Sequence, residues 1–136
     1  MAMRPSPVGP ILLSVLRIVA ALLFIEHGGQ KLLGFPPGSP MPMPPAFTLF
    51  WFAGLNELVG GALIALGLFT RPVAFLCAGE MAFAYFIGHF PHGFFPANNM
   101  GDAAILYCFI FLYLSAAGPG PWSVDAVRSR GRVPQP

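Results

Sequence analysis

The sequence predicts an all-α membrane protein that folds as a four-transmembrane-helix antiparallel bundle with both termini in the cytoplasm. Only 9% of the 136 residues are charged and 56% are hydrophobic, whereas a soluble domain carries about 25% charged residues. The hydrophobic residues fall in four stretches, each near the ~20 residues that a helix needs to cross a bilayer. Breaks rich in proline and glycine separate the stretches.

The predicted helices cover residues 8–33, 46–69, 72–90 and 101–117, and residues 118–136 form a predicted cytoplasmic tail. The first break, residues 35–45, is dominated by proline and cannot be helical. The sequence lacks the period-2 alternation of a membrane barrel, and four strands could not close one. We therefore expect a single transmembrane domain over residues 1–136.

Positive charges orient these helices. Arginines occur near the N-terminus, in the second connection and near the C-terminus, while Lys31 is the single cation at the first connection. Because cationic segments stay in the cytoplasm, both termini are expected there. The first stretch is interpreted as a retained helix, since Glu26-His27 occupies the place where the small residues of a signal-peptide cleavage site belong.

Composition also excludes several functions. A net charge of +2 without a basic block gives no electrostatic footprint for nucleic acid. Two cysteines cannot build a disulfide framework or a cysteine-rich zinc site.

Placing a charged side chain inside a membrane helix costs roughly several kcal/mol. Each such residue is therefore expected to have a partner or a function. At ~1.5 Å per residue, Arg17, Glu80 and Glu57 lie roughly 10–18 Å from the cytoplasmic helix ends. This inner layer, which also includes Asn56, is interpreted as a structural polar core. In its simplest form, this polar core is an ion pair of Arg17 with Glu80, although Arg17 could pair with Glu57 instead. The alternative is that the layer forms a proton relay or a polar ligand pocket.

A second, outer layer lies deeper, roughly 22–30 Å from the same ends. It contains the candidate ligand-binding residues, and three of them, His27, His89 and His92, are weak candidates for a metal or haem site. These side chains could instead hydrogen-bond a quinone head group, or simply meet lipid headgroups and water. The candidates are Glu26, His27, Gln30, His89, His92 and Asp102, and the same layer also contains Lys31, Asn98 and Asn99.

Several segments together resemble the DoxX family of small bacterial integral membrane proteins, nearly along the whole chain. The segment around Glu57 and the Gly-Pro-Gly tail are the most specific. The segments are Leu16-Arg17, EHGGQKLLG at 26–34, FAGLNELVGG at 52–61, GLFTR at 67–71, GEM at 79–81, AYF at 84–86 and AGPGPWSVD at 117–125.

The resemblance implies a multi-pass protein of the bacterial inner membrane. The family takes its name from a subunit of an archaeal terminal quinol oxidase or thiosulfate:quinone oxidoreductase, so the resemblance raises a quinone-linked, redox-associated subunit as the leading hypothesis. Because the chain has no flavin, Fe–S or cysteine-pair motif of its own, electrons would need a cofactor or a redox partner protein. A non-catalytic membrane adaptor or assembly factor and a small transporter, which would need a homo-oligomer, are the alternatives.

Overall fold

A computed structural model describes residues 4–132, and every regular element within that range is helical. The predicted domain over residues 1–136 and the predicted tail over residues 118–136 therefore extend at 1–3 and 133–136 beyond the described residues. Six α-helices follow one another along the chain. They are α1 Gly9–Leu33, α2 Leu49–Leu66, α3 Thr70–Ala84, α4 Pro96–Asn99, α5 Asp102–Ala117 and α6 Val124–Arg130.

Three helical stretches are long and apolar enough to cross a membrane, namely α1, α2 and the stretch Thr70–His92. That last stretch is α3 continued by a π-helical turn, Tyr85–His89, and a 3₁₀ turn, Phe90–His92. Helix α5 is equally apolar but has 16 residues. The structure thus contains three to four helices that could span the bilayer.

The helix boundaries differ from the predicted ones where local geometry decides. Helix α2 ends at Leu66 because Gly67 adopts a left-handed conformation with φ 68°, which a glycine at a helix C-terminus does without steric cost. Helix α3 begins at Thr70 rather than at Pro72, since proline is tolerated in the first turn of a helix. The predicted tail contains the short helix α6, which begins after Ser123, whose hydroxyl accepts a hydrogen bond from the Ala126 amide.

Helix α1 packs along α2, and α3 packs along α5. Small residues allow α1 and α2 to approach each other closely. Gly28 of α1 faces the backbone of α2, and Gly61 of α2 faces the backbone of α1. Phe24 of α1 reaches α5, where its ring lies 4.8 Å from that of Phe111 and 5.5 Å from that of Tyr107. The core is thin, and most large apolar side chains face outward, as expected for a protein solvated by lipid rather than water.

The two ends of the molecule differ in charge. We call the end that carries α6 and the α2–α3 connection the tail end, and the end that carries residues 34–48 and 93–101 the loop end. The loop-end segments contain no Asp, Glu, Lys or Arg. The tail end carries exposed arginines, including Arg71 and Arg128.

Candidate functional site

Four polar side chains meet between α1, α2 and α3, and we call them the membrane-buried cluster: Lys31, Asn56, Glu57 and Glu80. The Lys31 ammonium donates to Glu57 Oε1 at 2.5 Å, which joins α1 to α2. The Glu57 side chain is 2% exposed and that of Lys31 is 30% exposed. A carboxylate this deeply buried requires a partner of opposite charge or a hydrogen bond, and Lys31 supplies both.

The second half of the membrane-buried cluster joins α2 to α3. The Asn56 amide donates to Glu80 Oε2 and lies 3.8 Å from Cys77 Sγ. Each carboxylate keeps one buried oxygen, Glu57 Oε2 or Glu80 Oε1, that has no hydrogen-bond partner among residues 4–132. Buried polar atoms without partners are rare in proteins and call for an explanation.

Glycines set the position of the cluster. A Cβ added to Gly28 would lie 2.9 Å from Glu57 Cβ, and one added to Gly54 would lie 2.8 Å from Lys31 Cβ. Because neither glycine has a side chain, the α1 and α2 backbones approach closely on both sides of the ion pair. The approach brings the Lys31 ammonium within reach of the Glu57 carboxylate.

The membrane-buried cluster corrects the predicted inner layer in two respects. Arg17 pairs with neither Glu80 nor Glu57, and Lys31, which was placed in the outer layer, takes that role within residues 4–132. The depth scale measured only backbone height, whereas side chains on a helix lean toward its N-terminus. Lys31 therefore reaches back along α1 to the level of Gly28, where Glu57 lies.

Arg17 is instead the centre of a hydrogen-bond network at the tail end. Its guanidinium is fully buried and donates to the carbonyls of Pro119, Trp122 (2.6 Å) and Ala65 (3.4 Å). Ser14, one turn earlier, accepts a hydrogen bond from the Trp122 amide at 3.1 Å. Arg17 thereby fastens residues 119–122 to α1 and to the last turn of α2, whose carbonyls lack helical partners.

Asp125 fastens the next part of the tail. Its two carboxylate oxygens accept hydrogen bonds from the Phe69 and Thr70 amides, each at 3.0 Å, and so cap the start of α3 from a distant part of the chain. Partial burial alone would raise the pKa of Asp125, but the Thr70 and Phe69 hydrogen bonds and the Arg128 charge outweigh it and hold that pKa below its usual range. The contribution of Asp125 to folding is therefore complete above the pKa of an unfolded aspartate and is lost as the pH falls through the lowered pKa.

Asp125→Asn is expected to lower the free energy of unfolding by about 1 kcal/mol at neutral pH, because asparagine keeps a single, uncharged acceptor oxygen and so loses one of the two capping bonds. It should also remove part of the loss of stability that the native protein shows as the pH falls below about 4. Thermal unfolding of the detergent-solubilised protein across this range measures both. Asp102→Asn, at an exposed carboxylate of α5, is the matched control, and an identical pH profile for the two variants would contradict the role of Asp125.

The structure separates the predicted outer layer into two places. Glu26 and His27 lie on the exposed side of α1, and the His27 ring lies 6.0 Å from the Tyr107 ring of α5. Gln30 is half-buried and donates to the Pro36 carbonyl at 3.4 Å. These three residues lie on the same helical turns as Gly28 and Lys31.

The remaining outer-layer residues belong to the loop end. His89 Nδ1 lies 3.0 Å from the Asn99 carbonyl, and the Asn99 side chain donates to the Gly93 carbonyl at 2.9 Å and accepts from the Gly101 amide at 2.8 Å. Asn99 is buried and thus satisfies the backbone of a non-helical segment. His92, Asn98 and Asp102 are exposed.

The three histidines do not converge. Among residues 4–132, no group of three or more His, Cys, Asp and Glu side chains is arranged to hold a metal ion. Cys77 and Cys108 are both free thiols.

Sequence reasoning missed two residues of these networks. The sequence shows Lys31 as the single cation at the first connection, but which residue it pairs with depends on how α1 and α2 are aligned along their axes. Asp125 was visible only within the tail segment that carries the family resemblance, because a cap supplied from 55 or 56 residues away leaves no local pattern.

The described fold and its buried polar groups define a class: a small helical membrane protein in which buried polar side chains hydrogen-bond to other segments of the bundle. The chain belongs to the DoxX family, whose profile matches residues 12–90. It is a bacterial inner-membrane protein, as its relatives and its apolar helices show.

Three curated relatives extend the match over most of the chain. An uncharacterized protein of Haemophilus influenzae is 41% identical, over 85% of this chain and 90% of its own length. Inner membrane protein YphA of Escherichia coli is 34% identical, over 85% and 89%. An uncharacterized membrane protein of Mycobacterium tuberculosis is 30% identical, over 86% and 81%. No solved structure matches the chain significantly.

Proposed function

We propose that the protein is a single-domain, four-transmembrane-helix antiparallel bundle with both termini in the cytoplasm. The tail end carries all the arginines outside the helix interiors, and the loop-end segments carry no charge. By the positive-inside rule, this asymmetry supports a cytoplasmic location for the tail end. Helix α5, at about 24 Å, is the fourth span and needs the neighbouring loop segment to complete its crossing of a ~30 Å hydrocarbon core.

We further propose that the membrane-buried cluster binds the hydroxylated head group of a quinol, so that the protein acts as a quinone-linked subunit of a redox system. The observation that supports this is the pair of buried carboxylate oxygens without partners, Glu57 Oε2 and Glu80 Oε1. A quinol hydroxyl is a hydrogen-bond donor in an otherwise apolar molecule, and it suits an acceptor buried in the membrane.

The same carboxylates have a chemical role when the quinol is oxidised. Oxidation of one quinol to a quinone releases two protons and two electrons. Glu57 and Glu80 accept the protons at the oxygens that held the hydroxyls, and Lys31, which is partly exposed, offsets the charge of the ionised state. The electrons leave to a partner protein that carries a redox cofactor, since this chain contains no motif for one.

Glu26, His27 and Gln30 form the approach to this site in the proposal. They lie on the turns of α1 that flank Gly28 and Lys31, and Glu26 and His27 are exposed toward lipid. A head group that diffuses in the bilayer meets these residues first. They are then binding residues at the entrance, while the proton-accepting groups are Glu57 and Glu80.

The test is binding of decylubiquinol to the purified protein in lipid nanodiscs, measured by titration calorimetry. A hydrogen bond to a charged group contributes about 1.5–3 kcal/mol. Glu57→Gln and Glu80→Gln are therefore each expected to weaken binding by about tenfold or more. His27→Ala is expected to have a smaller effect, because the histidine lies at the entrance.

Asp102→Asn removes a membrane-proximal carboxylate away from the cluster and is the control that should bind normally. Absence of binding by the native protein would overturn the quinol hypothesis. Normal binding by both glutamine variants would overturn the assignment to Glu57 and Glu80. A co-purifying membrane protein, with no quinol binding, would favour the adaptor alternative instead.

A further inference from the structure

We propose that the tail end contains a binding site for one anionic phospholipid, with an acyl chain in a crevice between α2 and α6 and the headgroup phosphate against the arginines of α6. This inference is independent of the proposed quinol site, which lies on the opposite side of Arg17 along the helices.

The crevice is apolar and open to the surroundings. It has a volume of about 460 Å³ and separates the last turn of α2 from the tail. Val127 is 66% exposed and Trp122 is 56% exposed, which is a large apolar surface for a segment at the membrane boundary. The lining residues are Ala65, Leu66, Trp122, Ser123, Val124 and Val127.

The arrangement of α6 fits a lipid. Val124 and Val127 are three residues apart and therefore lie on one side of the helix, where they face the crevice. Leu66, on the opposite wall, is 57% exposed and belongs to the outward-facing surface of α2. The crevice thus continues the lipid-facing surface of the bundle to the cytoplasmic boundary, so an acyl chain can enter it without leaving the bilayer.

Charge selects the headgroup. Helix α6 has Arg128 and Arg130 in its last turn, followed by Arg132. The only acidic residue after Asp102 is Asp125, and its carboxylate is taken up by the amides of Phe69 and Thr70. The arginines therefore leave a net positive surface next to the crevice, and a phosphate suits guanidinium groups.

A buried charge adds to this potential. Arg17 donates to the carbonyls of Ala65 and Trp122, and both of these residues line the crevice. Its guanidinium lies beneath the crevice floor with no carboxylate in hydrogen-bond contact. Its positive charge therefore lies close to the crevice.

The site is preformed because the tail is fastened on both sides of it. Arg17 and Ser14 hold Trp122, and the Asp125 amide donates to the Gly67 carbonyl at 2.9 Å. Arg128 is also positioned, since its guanidinium lies 5.0 Å from the centre of the Phe69 ring. A ligand therefore does not need to order this segment on binding.

Native mass spectrometry of the detergent-purified protein, titrated with phosphatidylglycerol and in parallel with phosphatidylcholine of the same acyl chains, tests the proposal. We expect one phosphatidylglycerol to bind at least tenfold more tightly than phosphatidylcholine. Each arginine near a charged membrane surface contributes about fivefold in affinity, so the Arg128→Gln/Arg130→Gln double variant should lose about tenfold or more.

Arg4→Gln removes an exposed cation outside the tail and is the matched control. Val127→Asp, which places a negative charge in the crevice, should weaken lipid binding as much as the double arginine variant does. Equal retention of the two lipids, or an equal loss in Arg4→Gln, would show a general attraction to the surface and overturn the site. Full competition by inorganic phosphate would identify a free-anion site and overturn the lipid as its ligand.

Discussion

Gly28→Ala is expected to separate α1 from α2 and to destabilise the protein by about 3 kcal/mol, at the upper end of the range for overpacking a tight contact. The added Cβ would lie 2.7 Å from the Leu58 amide nitrogen and 2.8 Å from the Gly54 carbonyl oxygen. Both atoms are backbone, so no side chain can rotate away. The shift should also break the 2.5 Å contact between Lys31 and Glu57.

The measurement is thermal or SDS-induced unfolding in detergent. Gly79→Ala is the matched control, because a Cβ at Gly79 meets no atom within 4 Å and alanine favours a helix over glycine by up to about 1 kcal/mol. The control is expected to be at least as stable as the native protein. Equal stability of Gly28→Ala and Gly79→Ala would contradict the close contact between α1 and α2.

Arg17→Met is expected to release the tail from the bundle and to destabilise the protein by about 3 kcal/mol. Methionine replaces much of the volume but leaves the buried carbonyls of Pro119 and Trp122 without a donor, and each such loss costs about 1–3 kcal/mol. Limited trypsin digestion measures the release, because Arg128 and Arg130 become better substrates once α6 is detached.

Arg71→Met is the control for this effect. Arg71 also donates to carbonyls, those of Ser115 and Ala116 at the end of α5, but it is exposed, so water can replace it and the loss should be below about 1 kcal/mol. Arg17→Lys should lose an intermediate amount of stability, since one ammonium cannot reach all the carbonyls that the planar guanidinium contacts. Unchanged trypsin resistance in Arg17→Met would show that the tail is held without Arg17.

The sequence alone predicted the elements better than their contacts. Long apolar runs bounded by proline and glycine give the helices within a few residues, because crossing a membrane imposes length and composition locally. The pairing of Lys31 with Glu57 could not be predicted in the same way. It depends on how far α1 extends beyond α2 and on the direction in which a lysine side chain leans, and neither quantity is local.

The tail illustrates a second limit. The sequence predicts a cytoplasmic tail over residues 118–136, with Gly-Pro-Gly-Pro at its start. In the structure, the part of this tail up to residue 132 depends on a buried guanidinium from α1 and on the amides at the start of α3, two features that a local pattern cannot contain. Among the polar residues that the sequence singled out within the helices, Arg17 contacts the tail, whereas Glu57 and Glu80 remain candidates for chemistry.

The fastening of the tail has a consequence for biosynthesis. Arg17 is translated 102 residues before Pro119 and 105 before Trp122, and Phe69 is translated 56 residues before the Asp125 that caps it. During most of synthesis, the first helix therefore carries a cation without its acceptors, and α3 starts without its cap. Only a ribosome that has passed Asp125 has supplied the groups that complete the tail end. A chain stopped in α5 therefore differs from a full-length one by a guanidinium without its acceptors at Pro119 and Trp122. Membrane quality control could recognise that difference.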